Sequence, residues 1–289
     1  MPHPTPWRTE LQAILRGIAG GFLFGIPLLY TVEVWAIGSA TDPRWLLVVL
    51  GLTLLVVWLL TQVEGFRQTL ALRPLEAILE TIEAVGIGVL CAALALLLLR
   101  RITLATPLPE ATGKLVFESV PFSLGVALAR STFQTKRSRD RRTTAPLSRR
   151  LTSPTLAKVR DTLVDLDATL IGAVLIGLSI APTEEVPLVA ASLPPLWLLL
   201  VMAASLVLSY TIVFASGFTD RTERLQRGLL LSPPTETLVA YVVALAVSAI
   251  MLVMFQQLSP SDPWQEWLSD ILVLGLPASI GGAAGRILI

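Results

Sequence analysis

The sequence predicts an all-α membrane protein whose eight transmembrane helices form two parallel four-helix repeats. Three observations carry this prediction. Several apolar runs are about 20 residues long, which is the length that crosses a bilayer as a helix. Only 15% of the 289 residues are charged and the mean hydropathy is +0.73, whereas soluble domains carry roughly 25% charged residues. Finally, one stretch of the chain recurs 152 positions later.

The recurrence runs without a gap from Gly25 to Phe66. Over these 42 positions, 12 residues are identical to the residue 152 positions further on. Three of the matched pairs are not explained by apolar composition, namely Glu33 with Glu185, Pro43 with Pro195, and Trp45 with Trp197. Duplicated membrane halves commonly build transporters and channels, with the site at the interface between the repeats.

The eight predicted spans cover residues 15–37, 45–63, 76–99, 115–130, 163–182, 196–216, 236–257 and 269–288. With the N-terminus inside, 18 of the 22 Lys and Arg residues fall on the cytoplasmic side. The four on the outside are Arg44, Arg100, Arg101 and Lys114. This bias predicts a bacterial inner-membrane protein with both termini in the cytoplasm. Four spans precede the second copy, so the two halves have the same orientation.

The predicted domains are a first repeat over residues 1–130, a basic cytoplasmic linker over 131–160 and a second repeat over 161–289. The linker contains KRSRDRR and SRRLTSPT and lacks apolar periodicity, which is typical of a flexible tether. Two interpretations of its charge stay open. It is either a topology determinant that touches anionic lipid head groups, or a docking or phosphorylation site for a partner.

Glycine and proline mark where helices pack and bend. Small residues spaced four apart share one helix face and let two backbones approach closely. The predicted packing glycines are Gly17, Gly21, Gly25, Gly177, Gly281 and Gly285. Proline frees a backbone carbonyl and kinks a helix. The predicted kinks are at Pro27, Pro121, Pro182 and Pro277. Both features fit ordinary packing, and the alternative is a pore or transport site between the repeats.

Carboxylates near the outer ends of the spans form the candidate ion-binding site. They are Glu33, Glu118, Glu184, Glu185 and Asp270. Removing a carboxylate from water is costly unless the group is paired, protonated or facing a cavity. Oxygen ligands alone suit H⁺, Na⁺ or Ca²⁺, so the predicted ligand is a small cation or a proton. The alternative is that these groups lie in wet loops above the head groups.

A second acidic set is predicted on the inner side of the membrane. It consists of Glu80, Glu83 and Asp167, with Asp165 beside them. Either it marks the inner end of a cation path, or its members form structural ion pairs with Arg16 or Arg73.

Several kinds of chemistry are excluded by composition. A single cysteine, Cys91, and a single histidine, His3 in the N-terminal tail, exclude an internal disulfide, a cysteine metal cluster and a histidine relay in the membrane. The sequence has no HExxH, GxSxG, P-loop or GxGD motif. We therefore predict no enzymatic activity, no cofactor, no metal centre and no nucleic-acid partner. No oligomeric state is predicted.

Two segments, GGFLFGIPLLYTVEVW at 20–35 and APTEEVPL at 181–188, carry a resemblance that covers most of the chain. The pattern resembles a family of uncharacterised bacterial proteins, several of them cyanobacterial, that are described only as integral membrane proteins. This resemblance implies no particular activity.

The segment GLSIAPTE at 177–184 looks like the G-x-S-x-P-E signature of cation/calcium exchangers, in which serine and glutamate ligate the ion. Here an extra residue precedes Pro182, and Thr183 separates it from Glu184. Those exchangers also use inverted repeats. The likeness therefore implies ion chemistry only.

Two functions are consistent with these observations. The first is transport or conduction of a small cation or H⁺ through the repeat interface. The second is a non-transporting scaffold or sensor whose basic linker binds a partner. Transport requires Glu33, Glu185 and Glu118 to converge on a polar cavity, whereas a scaffold leaves them dispersed toward water.

The charge bias predicts the membrane topology. A single cysteine placed at Ser138 is expected to react with reagents only from the cytoplasmic side, and one at Ala191 only from the outside. Labelling of intact cells with an impermeant maleimide measures both. The opposite pattern would contradict the orientation.

Overall fold

The computed structural model describes residues 6–65, 74–139, 154–216 and 232–288, and the regular structure within these ranges is helical. The ten helices are α1 (Pro6–Leu29), α2 (Val32–Ala40), α3 (Pro43–Gly65), α4 (Pro74–Leu98), α5 (Leu108–Arg139), α6 (Pro154–Ile180), α7 (Glu185–Ala191), α8 (Pro195–Tyr210), α9 (Pro233–Met254) and α10 (Trp264–Leu288). A π-helical turn, Thr211–Ala215, continues α8.

Seven helices in the described part of the chain are long and apolar enough to cross a membrane. They are α1, α3, α4, α6, α8 with its π turn, α9 and α10. The predicted fourth span, which lies in α5, is not among them. Lys114, Glu118 and Arg130 interrupt the apolar sequence of α5, so its hydropathy does not by itself indicate a span.

The first predicted span is broken near its outer end. Thr31 has extended backbone angles between α1 and α2, and its amide donates to the carbonyl of Leu28 at 3.0 Å. The predicted extension of this span to residue 37 is therefore wrong. A second break separates α6 from α7, and Pro182 lies in that turn, where it follows a helix end and does not kink a helix. As a result, Glu33 and Glu185 occupy the first turns of the short helices α2 and α7.

The other three predicted kink prolines lie inside helices that continue past them: Pro27 in α1, Pro121 in α5 and Pro277 in α10. Membrane helices tolerate proline where neighbouring groups satisfy the freed carbonyl. The predicted linker is helical at both ends, because α5 runs to Arg139 and α6 begins at Pro154. Residues 140–153 of that linker lie outside the described residues.

The chain divides into two compact units. Unit 1 comprises Met1–Ser131 and Glu185–Leu200, and unit 2 comprises Thr132–Glu184 and Val201–Ile289. Unit 1 therefore contains α1 to α4, α5 up to Ser131, α7 and the beginning of α8. Unit 2 contains α6, the rest of α8, α9 and α10.

In unit 1, α1 packs against α5 with its backbone in contact. A Cβ atom added to Gly20 would lie 2.5 Å from the carbonyl oxygen of Gly125. Cβ atoms added to Gly17 and Gly21 would lie 3.1 and 3.2 Å from methyl carbons of Val126. The predicted glycine face of α1 thus meets α5, but the closest crossing is at Gly20.

Two further glycine contacts enclose α5. A Cβ atom on Gly38 of α2 would lie 3.0 Å from the carbonyl oxygen of Gly113. One on Gly88 of α4 would lie 2.6 Å from the Cα atom of Ser123. Because α5 contacts α1, α2 and α4 in this way, much of its surface faces protein, and it can carry polar residues that a lipid-facing helix could not.

In unit 2, α6 crosses α10 in the same manner. A Cβ atom on Gly172 would lie 2.8 Å from the carbonyl carbon of Gly281, and one on Gly285 would lie 3.4 Å from the Cα atom of Gly172. Gly177 instead faces α9, where its Cβ atom would lie 2.7 Å from the sulfur of Met251. Of the seven spans, α10 is the most buried: 72% of the residues in its most apolar stretch lie inside the protein.

The turn that ends α4 has the same backbone pattern as the turn that ends α9. Each contains one residue with positive φ, 53° at Arg100 and 58° at Gln256. The next amide donates to the carbonyl five residues earlier, at 2.8 Å for Arg101 and 2.9 Å for Gln257. These are the hydrogen bonds of a Schellman-type helix ending.

The glycine crossings predict a stability difference between matched glycine-to-alanine substitutions. Gly125→Ala and Gly281→Ala force two backbones apart and are expected to destabilise by about 1–3 kcal/mol. Gly86→Ala is the control, because a Cβ atom on this helical residue meets nothing within 4 Å. Thermal unfolding in detergent measures the effect. A melting temperature for Gly125→Ala equal to that of Gly86→Ala would contradict the crossing.

Candidate functional site

The five outer carboxylates lie in different environments. Glu118 is fully buried and Asp270 nearly so. Glu33 and Glu184 are exposed, and Glu185 is partly buried. Glu33, Glu118 and Glu185 belong to unit 1, whereas Glu184 and Asp270 belong to unit 2. The five groups therefore do not gather within one unit. Glu118 is the most buried of them, at 0% exposure, and Asp270 follows at 6%.

Glu118 projects from α5 into the interior of unit 1. Neither carboxyl oxygen has a hydrogen-bond partner among the described residues. The Trp35 indole of α2 lies beside this carboxyl group, but its N–H donates to the carbonyl of Leu29 at 2.8 Å. The two buried hydroxyls further along α5 are those of Ser119 and Ser123.

The cations nearest in the sequence and fold are held by other partners. Lys114, one turn before Glu118, donates to the Glu110 carboxylate at 2.5 Å and to the Arg101 carbonyl at 3.2 Å. The Arg101 guanidinium lies 4.9 Å from the centre of the Trp35 ring. Within the described ranges, the ion pairs do not include Glu118.

This arrangement decides what Glu118 can do chemically. An ionised carboxylate in such a place needs a counter-charge or water, whereas a protonated carboxyl group does not. Glu118 can therefore hold a proton in the enclosed state and release it only when water or a cation reaches it. Buried ionisable groups at membrane depth are typical of proton relays and ion pathways.

The inner acidic set is partly structural. Glu83 accepts a hydrogen bond from Arg130 at 2.6 Å. This partner is neither of the two that the sequence suggested, Arg16 and Arg73, and Arg73 lies outside the described residues. Glu80 and Asp167 are exposed.

A second ion pair, Arg286 with Glu236, lies deep in unit 2 and was not predicted as a site. The Arg286 side chain is 1% exposed and the Glu236 side chain 16%. The guanidinium is also 5.7 Å from the centre of the Phe214 ring, in the π turn after α8. The sequence feature that could have indicated this pair is Arg286, which lies among small and apolar residues in α10. A charge among apolar residues requires a partner.

A small cavity with a mixed polar and apolar lining adjoins this pair. Its lining consists of Thr162, Asp165, Leu166, Thr169, Glu236, Ala240 and Arg286. Its volume of about 20 Å³ has room for a single water molecule. None of the five outer carboxylates lines it.

Comparison with known proteins places the chain in a family. Residues 13–289 match the family described as "putative integral membrane protein (DUF2391)". No curated protein and no solved structure matches the chain. The family description gives membrane integration and no activity.

The two ion pairs predict unequal losses of stability. Glu236→Gln leaves the Arg286 charge buried without this carboxylate and is expected to cost about 3–5 kcal/mol. Glu83→Gln breaks a pair whose glutamate side chain is 53% exposed, so the expected cost is about 0–1 kcal/mol. Thermal unfolding of both variants in one detergent measures the difference. Equal losses would show that burial does not distinguish the pairs.

Proposed function

We propose that this chain, which belongs to the integral membrane protein family matched by residues 13–289, moves protons across the bilayer. In this proposal the Glu118 carboxyl group carries the proton. The observation that supports it is complete burial of Glu118 with no hydrogen-bond partner for either oxygen among the described residues. The proposed role is conduction or transport without enzymatic chemistry.

The proposed architecture has eight spans in two parallel four-helix repeats, with α5 as the enclosed fourth span. Several structural pairs support a duplication. The helices α3 and α8 begin at Pro43 and Pro195, which are matched residues. The two glycine crossings join Gly20 to Gly125 and Gly172 to Gly281, so their members lie 152 and 156 positions apart in the two halves. In the proposed orientation, both termini are in the cytoplasm of a bacterium.

A proton fits the site better than a metal cation does. Ca²⁺ takes about 6–8 oxygen ligands, whereas the other carboxylates of unit 1 in the predicted set, Glu33 and Glu185, are exposed or partly exposed. A proton needs one acceptor at a time and can pass along single waters. The cavity beside Asp165 and Glu236 in unit 2 has room for one water molecule, which matches the passage of protons along single waters.

The short helix α2 connects Glu118 with solvent in this proposal. Glu33 is exposed in its first turn and Trp35, two residues later, lies beside Glu118. Glu33 would then exchange protons with water, and movement of Trp35 would admit water to Glu118. Glu185 occupies the first turn of α7 and has one buried oxygen without a hydrogen-bond partner in the described part of the chain, which suits a second entry group.

The alternative function is a membrane scaffold or sensor with no transport. The exposure of Glu33 favours it, because one of the three carboxylates expected to converge in a transporter is turned toward the surroundings. The partner would bind the basic linker over residues 131–160, of which residues 140–153 lie outside the described residues.

The proton proposal predicts the effect of Glu118→Gln in reconstituted liposomes. The amide is nearly isosteric but does not take up and release a proton in the working pH range. Proton flux driven by a pH gradient and followed with an entrapped pH-sensitive dye is expected to fall to that of protein-free vesicles. Glu118→Asp keeps the carboxyl group and is expected to retain part of the flux.

Glu110→Gln is the matched control on the same helix, because its carboxylate is a partly exposed partner of Lys114. It is expected to conduct like the wild type. Wild-type flux in Glu118→Gln would overturn the role of this residue. Equal dye responses of wild-type and protein-free vesicles would overturn transport itself and favour the scaffold.

A further inference from the structure

We propose that Arg100 and Arg101, at the end of α4, bind the phosphate group of a membrane phospholipid. The α4 span ends at Leu98, so both arginines lie within about 5 Å of chain rise beyond it. That is the depth of the lipid head groups, whichever way the protein is inserted. The site shares Trp35 with the proposed proton path, but phosphate binding at the two arginines does not require proton movement.

Three helix ends meet at this point of unit 1. Trp197, near the start of α8, donates its indole N–H to the carbonyl of Leu98 at 2.5 Å. Lys114 of α5 donates to the carbonyl of Arg101 at 3.2 Å. The junction collects three of the four basic residues that the charge pattern assigns to this side of the membrane. Glu110 balances only Lys114.

Two tryptophans hold the arginine side chains in place. The guanidinium of Arg101 stacks 4.9 Å from the centre of the Trp35 ring, and that of Arg100 lies 5.8 Å from the centre of the Trp197 ring. Arg101 also donates to the Leu99 carbonyl at 3.0 Å and to the Ser192 hydroxyl. Stacking fixes the plane of a guanidinium and leaves N–H groups at its edge, which suits bidentate binding of phosphate.

The positive charge at this turn lacks a neutralising carboxylate among the described residues. In the described part of the chain, neither Arg100 nor Arg101 has a carboxylate within ion-pair distance. Burial lowers the pKa of the Arg101 guanidinium below its ordinary value, because desolvation disfavours the charged form. A bound anion would offset that cost.

The turn at the end of α9 shows that the backbone does not require arginine. It has the same positive-φ residue and the same hydrogen bonds, but its residues are Gln256 and Gln257. The left-handed position of such turns usually holds glycine or asparagine. Since glutamine occupies the equivalent positions of the α9 turn, the backbone conformation of the turn does not account for the two charges at Arg100 and Arg101.

The loop after Arg101 favours a lipid over a soluble anion as the ligand. Leu104 and Leu108, in and just after this loop, are almost fully exposed. Exposed leucines beside basic residues and tryptophans are typical of a segment that rests at the membrane interface. Acyl chains can cover these leucines while the phosphate meets the arginines.

The test is lipid binding to the purified full-length protein by native mass spectrometry in detergent. The probe is dioctanoyl phosphatidylglycerol. Dioctanoylglycerol, which lacks the phosphate, and inorganic phosphate are the comparison ligands. The variant Arg100→Gln/Arg101→Gln copies the side chains of the α9 turn, so the fold is expected to tolerate it. Its Kd for the phospholipid is expected to rise about tenfold or more.

Arg44→Gln is the matched control, because Arg44 is an exposed arginine at the start of another span, α3. Its Kd is expected to stay at the wild-type value. Unchanged binding by the double variant, or an equal loss in Arg44→Gln, would overturn the site. Dioctanoylglycerol binding as tightly as the phospholipid would overturn recognition of phosphate. Competition by inorganic phosphate at the same concentration would assign the site to a soluble anion and overturn the lipid assignment.

Discussion

Direct contact between helix backbones at glycine is the constraint on which the rest of this structure depends. In lipid there is no hydrophobic force that drives one apolar helix against another, so association relies on close packing and polar contacts. Gly20 against Gly125 in unit 1 and Gly172 against Gly281 in unit 2 provide that packing. Each crossing brings a helix rich in polar and small residues, α5 or α10, out of the lipid and into the protein.

Because protein encloses these two helices, their charged residues depend on partners within the protein. The Arg286–Glu236 pair lies largely inside unit 2, with the Arg286 side chain 1% exposed and the Glu236 side chain 16% exposed. The Arg130–Glu83 pair joins α5 to α4 in unit 1, and both of its side chains are partly exposed. Glu118 has been enclosed without such a partner. A buried carboxyl group of this kind adds no obvious stability, and function is the better explanation of its presence.

The two units use similar backbone solutions and place different side chains on them. Unit 1 contains both short helices that carry a glutamate in the first turn, α2 with Glu33 and α7 with Glu185, and each follows a break after a long helix. Both units end a span in a left-handed turn, which carries arginines in one unit and glutamines in the other. Backbone geometry therefore accounts for the shared turn, and the side chains that the two units place on it differ in charge.

The sequence by itself determined the membrane class, most of the spans and the positions of Pro27, Pro121 and Pro277 inside helices. Hydropathy is a local sum over consecutive residues, and proline acts on the helix that contains it, so neither requires knowledge of distant contacts. Only the tertiary structure decided that α5 is enclosed, that Gly20 and not Gly21 makes the closest crossing, and that Glu118 is buried while Glu33 is exposed. Those outcomes depend on which face of each helix meets another helix. The sequence alone does not distinguish two glutamates predicted at the same membrane depth, because the burial of one depends on a neighbouring helix.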